Sequence, residues 1–223
     1  MTHSGRSNAG RSAGRRIVAA QVPLRTMLFD LGNVLVHFSH ERMYTQIGQI
    51  CGLPQAEIRS LIEVSGLGVA FECGRISERE FHQRLEQQLN REIDLEGLRH
   101  AVADIFELNT PMMPVLARIR EAGYRLVLLS NTNETHIAWI RDHFAVLDRF
   151  DALVLSYEVG AVKPDDAIYR AALDAIQCDP SECFYTDDIP LYVDQARTHG
   201  LQAEVFTGAD DLRRHLQERG VNV

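Results

Sequence analysis

Short, fully apolar runs alternate with helix-period stripes along most of the chain, and one long stretch breaks that rhythm. Met27-Leu28-Phe29 is an apolar run ending at Asp30 and followed by Gly32 and Asn33, which predicts a buried strand feeding a tight turn. Residues 41–108 then carry only helical periodicity. Pro54 opens one predicted helix. Ser77 and Glu80 have the spacing of a capping box ahead of Phe81, Leu85 and Leu89, which share a helical face. A further helix is predicted over 95–107, and no strand is predicted anywhere in 41–108.

Beyond Thr110-Pro111 the pattern becomes strand–helix alternation. Val115, Leu116 and Ile119 mark a helix that ends at Gly123, a residue suited to the position just past a helix. Predicted strands at 126–129, 152–155, 183–185 and 203–206 alternate with predicted helices at 134–145, 165–177, 190–199 and 209–219. Uniformly apolar strands separated by helices predict a parallel sheet covered on both faces. The expected architecture is therefore α/β: a doubly wound parallel sheet (26–40 and 109–223) with an inserted all-helical segment (41–108), preceded by a tail over residues 1–25.

Composition narrows the function. The chain has 223 residues, 45% hydrophobic and 24% charged, as ordinary soluble globular proteins do. No run of about 18 apolar residues is present, so no membrane partner is expected. The net charge of -8 argues against nucleic acid and acidic membranes as partners. The first 25 residues hold Arg6, Arg11, Arg15, Arg16 and Arg25 and no acid. This Ser/Gly/Arg-rich start reads as a disordered extension, with an organelle transit peptide as the alternative. Cys51, Cys73, Cys178 and Cys183 show no metal-binding spacing, so reduced thiols and a cytoplasmic location are expected. Oligomeric state leaves no trace in the sequence.

Ligands of open parallel sheets bind beyond the carboxyl ends of the strands. At those ends stand Asp30, Ser130-Asn131-Thr132, Lys163-Pro164 and Asp187-Asp188. Clustered carboxylates repel one another unless a cation lies among them, and a few hard oxygen ligands suit Mg²⁺. Ser130, backbone N–H groups and Lys163 supply donors for a phosphoryl group. Lys163 is the only lysine in the chain, the other 22 Lys/Arg positions being arginine, which suggests that a compact point charge is needed there.

Four segments in order, FDLGNVLV (29–36), LLSNTN (128–133), VKP (162–164) and YTDD (185–188), resemble the motifs of the haloacid-dehalogenase-like hydrolase superfamily. With FECGRISEREF (71–81), they are similar to its subgroup containing sugar-phosphate phosphatases of the α-glucose-1-phosphate phosphatase kind. The resemblance implies a phosphatase acting on a small phosphorylated metabolite. Asp30 would be the nucleophile, forming an aspartyl-phosphate, and Lys163 would neutralise charge. Ser130 and Asn131 would bind phosphate. Mg²⁺ would be held by Asp30, the Gly32 carbonyl and Asp188, with Asp187 adjacent. The insertion would be a cap that excludes water.

One departure stands out. Where most phosphatases of this superfamily carry a second Asp as general acid and base, this chain has Gly32. Such help is worth about 10²–10⁴-fold, so a substrate with a readily expelled oxygen, or a donor borrowed from the cap, is expected. Glu72, Glu78 and His82 are the candidate donors. The same departure admits a non-catalytic binding or regulatory protein. A 2-haloacid dehalogenase is a further alternative, disfavoured because Asp187 and Asp188 would repel a carboxylate substrate. His136, His143 and His199 are expected at surface or cap positions, Trp139 is expected to pack a helix, and Asp165-Asp166 is expected to cap the helix that follows.

Overall fold

The computed structural model describes Met1 and residues 22–223. Most of the expected disordered tail therefore lies outside the described residues. Order is present before residue 26: Leu24 is buried, the Arg25 N–H donates to the Glu182 carbonyl (2.8 Å), and the Arg25 carbonyl accepts from the Arg125 N–H (3.1 Å).

Strand β1 (Thr26–Phe29) leads into β2 (Val36–Phe38). Helices α1 (His40–Cys51), α2 (Gln55–Val64), α3 (Leu67–Glu72), α4 (Glu78–Leu89) and α5 (Leu95–Ala103) follow, then β3 (Phe106–Leu108). The remainder alternates: α6 (Met112–Glu121), β4 (Arg125–Ser130), α7 (Glu134–His143), β5 (Ala152–Leu155), α8 (Ser156–Val159), α9 (Asp166–Ile176), β6 (Cys183–Asp187), α10 (Pro190–Thr198), β7 (Gln202–Val205) and α11 (Ala209–Gln217).

The main sheet is parallel throughout, in the order β5-β4-β1-β6-β7. Its two-residue period decides where the helices pack. Met27 and Phe29 of β1 and Leu126 and Leu128 of β4 face one core, with side chains of α6, α7 and α11. Leu28, Val127 and Leu129 face the opposite core, with α9 and α10. Burial on both faces explains why these strands read as uninterrupted apolar runs. β1 lies at the centre of the sheet, so Asp30 follows its most enclosed strand.

Helices α1 to α5 form a third cluster of their own, built on Ile47, Ile58, Phe71, Phe81 and Leu85 among others. The Ser77–Glu80 capping box is present at the start of α4. The sequence-based expectation of an entirely helical 41–108 is wrong at its end. The helix over 95–107 stops at Ala103, and Phe106–Leu108 pairs antiparallel with Val36–Phe38. Three residues are too few for a period to register, and neither strand exists without the other. The chain thus leaves and re-enters the α/β unit through one two-stranded ribbon. The Asn109 side chain fastens it, donating to the Val34 carbonyl (2.8 Å). Among the described residues, no helix is long and apolar enough to cross a membrane, and all four cysteines are free.

Candidate active site

Asp30, Ser130 and Asp187 end or directly follow strands β1, β4 and β6, which are neighbours in the sheet, and so their side chains converge at one edge. Lys163 comes from the loop after α8 and is fully enclosed. Its Nζ donates to Asp30 Oδ1 (2.7 Å) and to Asp187 Oδ2 (2.6 Å), with the Leu129 carbonyl at 3.2 Å. Nζ also lies 5.0 Å from the centre of the Tyr192 ring. Burial opposes the ammonium charge, but two carboxylates outweigh it and raise the lysine pKa.

The two carboxylates meet different surroundings. Asp187 is wholly buried and already satisfied: Oδ1 accepts from the Ile189 N–H (2.8 Å), while Oδ2 accepts from Lys163 and from the Tyr185 hydroxyl. Asp30 opens onto a cavity of about 230 Å³ that Lys163, Ser130, Asn131, Gly32 and Asp188 also line. Burial pushes the Asp30 carboxyl up to about 7; Lys163 partly offsets that and Asp187 adds repulsion. Asp188 is half-buried and accepts a hydrogen bond from Asn33 Nδ2 (3.0 Å). Asn33 reaches it from a left-handed turn (φ 54°) that Asn tolerates better than most residues.

One ligand atom from each of Asp30, Asp187 and Asp188 lies within 4.8 Å of the others. Three carboxylates against one ammonium leave a deficit of positive charge, and hard oxygen donors at this spacing suit a divalent cation such as Mg²⁺.

Asn131 does more than its position suggested. Its side chain clamps the Lys163 backbone, with Nδ2 donating to the carbonyl (3.1 Å) and Oδ1 accepting from the N–H (2.7 Å). The Thr132 N–H is taken by Ser156 Oγ (2.8 Å). Ser130 Oγ has only a long contact to the Asn131 carbonyl (3.4 Å), so its hydroxyl is available to a ligand.

The structure separates the candidate proton donors. Glu78 is tied to Arg99 Nε (3.0 Å) and to Thr135 Oγ1 (2.8 Å), and these bonds hold its pKa below the usual range. His82 Nε2 contacts the Ile93 carbonyl (2.7 Å). Neither lines the cavity, whereas Glu72 does.

Several lining residues were not anticipated. Phe38, His40 and Phe106 come from the two ends of the insertion. Tyr192 follows the Asp187-Asp188 pair by one helical turn, a spacing that could have marked it. His136, expected at a surface or cap position, is buried against the cavity. Its Nδ1 faces Asn133 Nδ2 (3.1 Å), and Nε2 has no hydrogen-bond partner among the described residues. Burial, with His40 nearby, pushes its pKa down to about 3, so the ring is neutral. Trp139 stacks on His143 with ring centroids 3.9 Å apart, and His199 stacks on Tyr169. Asp165 occupies the first position before α9 without a side-chain capping bond, and it is Asp166 that bonds Gln195 (2.7 Å).

Comparison with known proteins agrees with this geometry. A family model described as haloacid dehalogenase-like hydrolase matches residues 24–191. The chain is 27% identical over 201 residues to D-ribitol-5-phosphate phosphatase of Bacteroides thetaiotaomicron, covering 86% of this chain and 97% of that one. It is 25% identical over 225 residues to flavin mononucleotide hydrolase 1 of Arabidopsis thaliana, covering 99% of this chain and 87% of that one. Among solved structures, an enzyme of the same named family from Bacteroides thetaiotaomicron, in complex with magnesium and inorganic phosphate, superposes with a TM-score of 0.74 at 26% identity. That match covers 82% of this chain and 93% of that one.

Proposed function

The chain belongs to the haloacid dehalogenase-like hydrolase family, and on that premise we propose that it is a magnesium-dependent phosphatase of small phosphorylated metabolites, with a sugar or polyol phosphate favoured. The observation that carries the reading is the buried Lys163 ammonium held between Asp30 and Asp187 at the edge of a cavity that also presents Ser130 and Asp188.

In this reading Asp30 attacks phosphorus through a carboxylate oxygen, and the bond to the departing alcohol oxygen breaks. Water then releases phosphate from the aspartyl-phosphate. Lys163 holds the Asp30 carboxylate in place and offsets the negative charge of the incoming phosphoryl group. Ser130 donates its hydroxyl to a phosphoryl oxygen. The Asn131 backbone N–H is a further donor, while its side chain holds the Lys163 loop. Asp30, the Gly32 carbonyl and Asp188 are the ligands for Mg²⁺, because Asp188 has oxygen capacity to spare. Asp187 serves chiefly as the partner that positions Lys163. The ion, when bound, screens the carboxylates and polarises the phosphoryl oxygens. Helices α1 to α5 act as the cap that keeps bulk water out.

The substrate class follows from charge. Among the described residues, Lys163 is the sole Lys or Arg lining the cavity, and it is engaged by two carboxylates. A second anionic group on the substrate would find no cation there, whereas hydroxyl groups would find His40, Glu72 and Tyr192. D-ribitol 5-phosphate, the compound for which the similar Bacteroides phosphatase is named, has that character.

The test is a panel of phosphorylated polyols, sugars and acids assayed with and without Mg²⁺, with Asp30→Asn as blank. Phosphate release that needs both the metal and Asp30 is expected, with neutral polyol phosphates ahead of phosphorylated carboxylic acids. Halide release from an added 2-haloacid that survives chelation, with no phosphate release, would favour haloacid chemistry instead. Absence of turnover across the panel would favour the non-catalytic alternative.

A further inference from the structure

We propose that Glu72, the last residue of α3, is a catalytic residue that protonates the departing alcohol oxygen and then deprotonates the attacking water. The proposal rests on the phosphatase reading above and supplies the proton transfer that Gly32 cannot make.

Placement is the first argument. Glu72 lines the reaction cavity together with Asp30, Lys163 and Ser130. It also lines a second cavity of about 260 Å³ within the helical segment, bounded by Tyr44, Ile62, Phe71 and Phe81 among others. Among the described residues, the two cavities share only His40, Glu72 and His136. A phosphate ester with its phosphoryl group at Asp30 and its organic part in the second cavity has its bridging oxygen at this junction. That oxygen is the atom needing a proton as its bond to phosphorus breaks.

Freedom of the carboxyl is the second argument. Among the described residues no hydrogen bond or ion pair engages it, in contrast to Glu78. Its backbone, by comparison, is fixed to the α/β unit. Ser156 Oγ lies 2.7 Å from the Glu72 carbonyl and 2.9 Å from the Thr132 carbonyl, and it accepts the Thr132 N–H. Two residues on, Gly74 has φ 63°, and a Cβ there would stand 2.0 Å from the Tyr157 carbonyl oxygen. This close backbone approach holds the end of α3, and with it Glu72, against the α/β unit at the cavity that Glu72 lines.

Burial pushes the Glu72 pKa upward, which favours the acid form more than in an exposed glutamate. The neighbours suit the task less well. His136 and His40 are held neutral by burial. The Lys163 ammonium is bound by two carboxylates. The Tyr192 hydroxyl is pushed above its ordinary value, also by burial.

The steps balance. Asp30 forms a bond to phosphorus as the phosphorus–alkoxy bond breaks, and the Glu72 proton passes to the alkoxy oxygen, leaving a carboxylate. That carboxylate takes a proton from water as the water oxygen bonds phosphorus and the Asp30–phosphorus bond breaks. Glu72 is again an acid, and Asp30 again a carboxylate.

The experiment compares kcat/KM, which reports phosphoryl transfer to Asp30 and not the later hydrolysis common to all esters, for Glu72→Gln and wild type on a simple alkyl phosphate and on p-nitrophenyl phosphate, whose leaving oxygen needs little protonation. The expected loss is about 10²-fold or more on the alkyl ester and at least tenfold smaller on the aryl ester. Equal losses on both, or no loss on either, overturn the role of Glu72. In wild type alone, kcat/KM over a series of leaving groups should fall only shallowly as the alcohol becomes more basic. A steep fall overturns the proposal even if the variant does not fold. Failure of the phosphatase reading looks different: wild type then releases no phosphate from either ester, or Asp30→Asn releases it as fast.

Discussion

Phe38 Cε1 lies 2.7 Å from the point where a Cβ on residue 32 would stand, so the ring of β2 fills the space that a side chain at Gly32 would need. Phe38 also stands near His40 and Phe106, with ring centroids 4.9 Å and 6.4 Å away. Glycine at 32 and phenylalanine at 38 form one packing unit. Restoring a carboxylate at 32 therefore requires relief at 38. Gly32→Asp alone is expected to lower p-nitrophenyl phosphate hydrolysis, because the ring must be displaced into the cavity. Gly32→Asp with Phe38→Ala, placed on a Glu72→Gln background, is expected to raise alkyl-phosphate turnover about tenfold or more over Glu72→Gln alone, a part of what a general acid contributes. Steady-state rates on the two esters measure both.

Lys163 carries the electrostatics of the site. Lys163→Met leaves Asp30 and Asp187 buried without their shared cation, and removing one member of a buried pair typically costs about 3–5 kcal/mol. A loss of that order is expected in urea unfolding, together with loss of hydrolysis. Lys163→Arg does not rescue activity, because a planar fork cannot occupy the site of a point donor enclosed by Asp30, Asp187 and the Leu129 carbonyl.

Metal binding has a readout independent of turnover. A cation that binds the folded chain raises its stability by about 2.7 kcal/mol at one hundred times its dissociation constant. Mg²⁺ is expected to raise the melting temperature of wild type, and Asp188→Asn to abolish most of that rise. A chelator removes both the rise and the hydrolysis. An unchanged Mg²⁺ shift in Asp188→Asn would move the ligand role to Asp187.

His136 predicts a pH effect on folding. Its pKa falls from 6.5 to about 3 on burial, so between those values the unfolded chain binds more protons than the folded one. Stability therefore rises with pH in this window and is lost as pH falls from about 6.5 towards 3, with a slope of up to about 1.4 kcal/mol per pH unit. His136→Gln should flatten the slope by about one proton in denaturant titrations between pH 6.5 and 4. An unaltered slope would show that other groups set the acid limb.

The sequence by itself determined the α/β unit, because a strand buried on both faces must be apolar at successive positions, and Leu126 to Leu129 or Cys183 to Tyr185 can satisfy little else. It also determined which polar residues meet. In a parallel sheet every strand presents its carboxyl end to one edge, so Asp30, Ser130 and Asp187-Asp188 share an edge once the strands are recognised. Lys163 follows from its position after β5. Tertiary structure alone decided the rest. The ribbon of β2 and β3 exists only through contact between segments some 70 residues apart, and three residues carry no period of their own. Which of Asp187 and Asp188 keeps free oxygen atoms depends on Tyr185 and the Ile189 N–H reaching the former. His136 and Glu72 come to the cavity because α7 packs on the sheet, and α3 of the insertion against the α/β unit, at angles that no linear pattern encodes. A side chain's pKa and its access to a ligand are set by what surrounds it in space, and for these two residues that surrounding comes from both sides of the insertion.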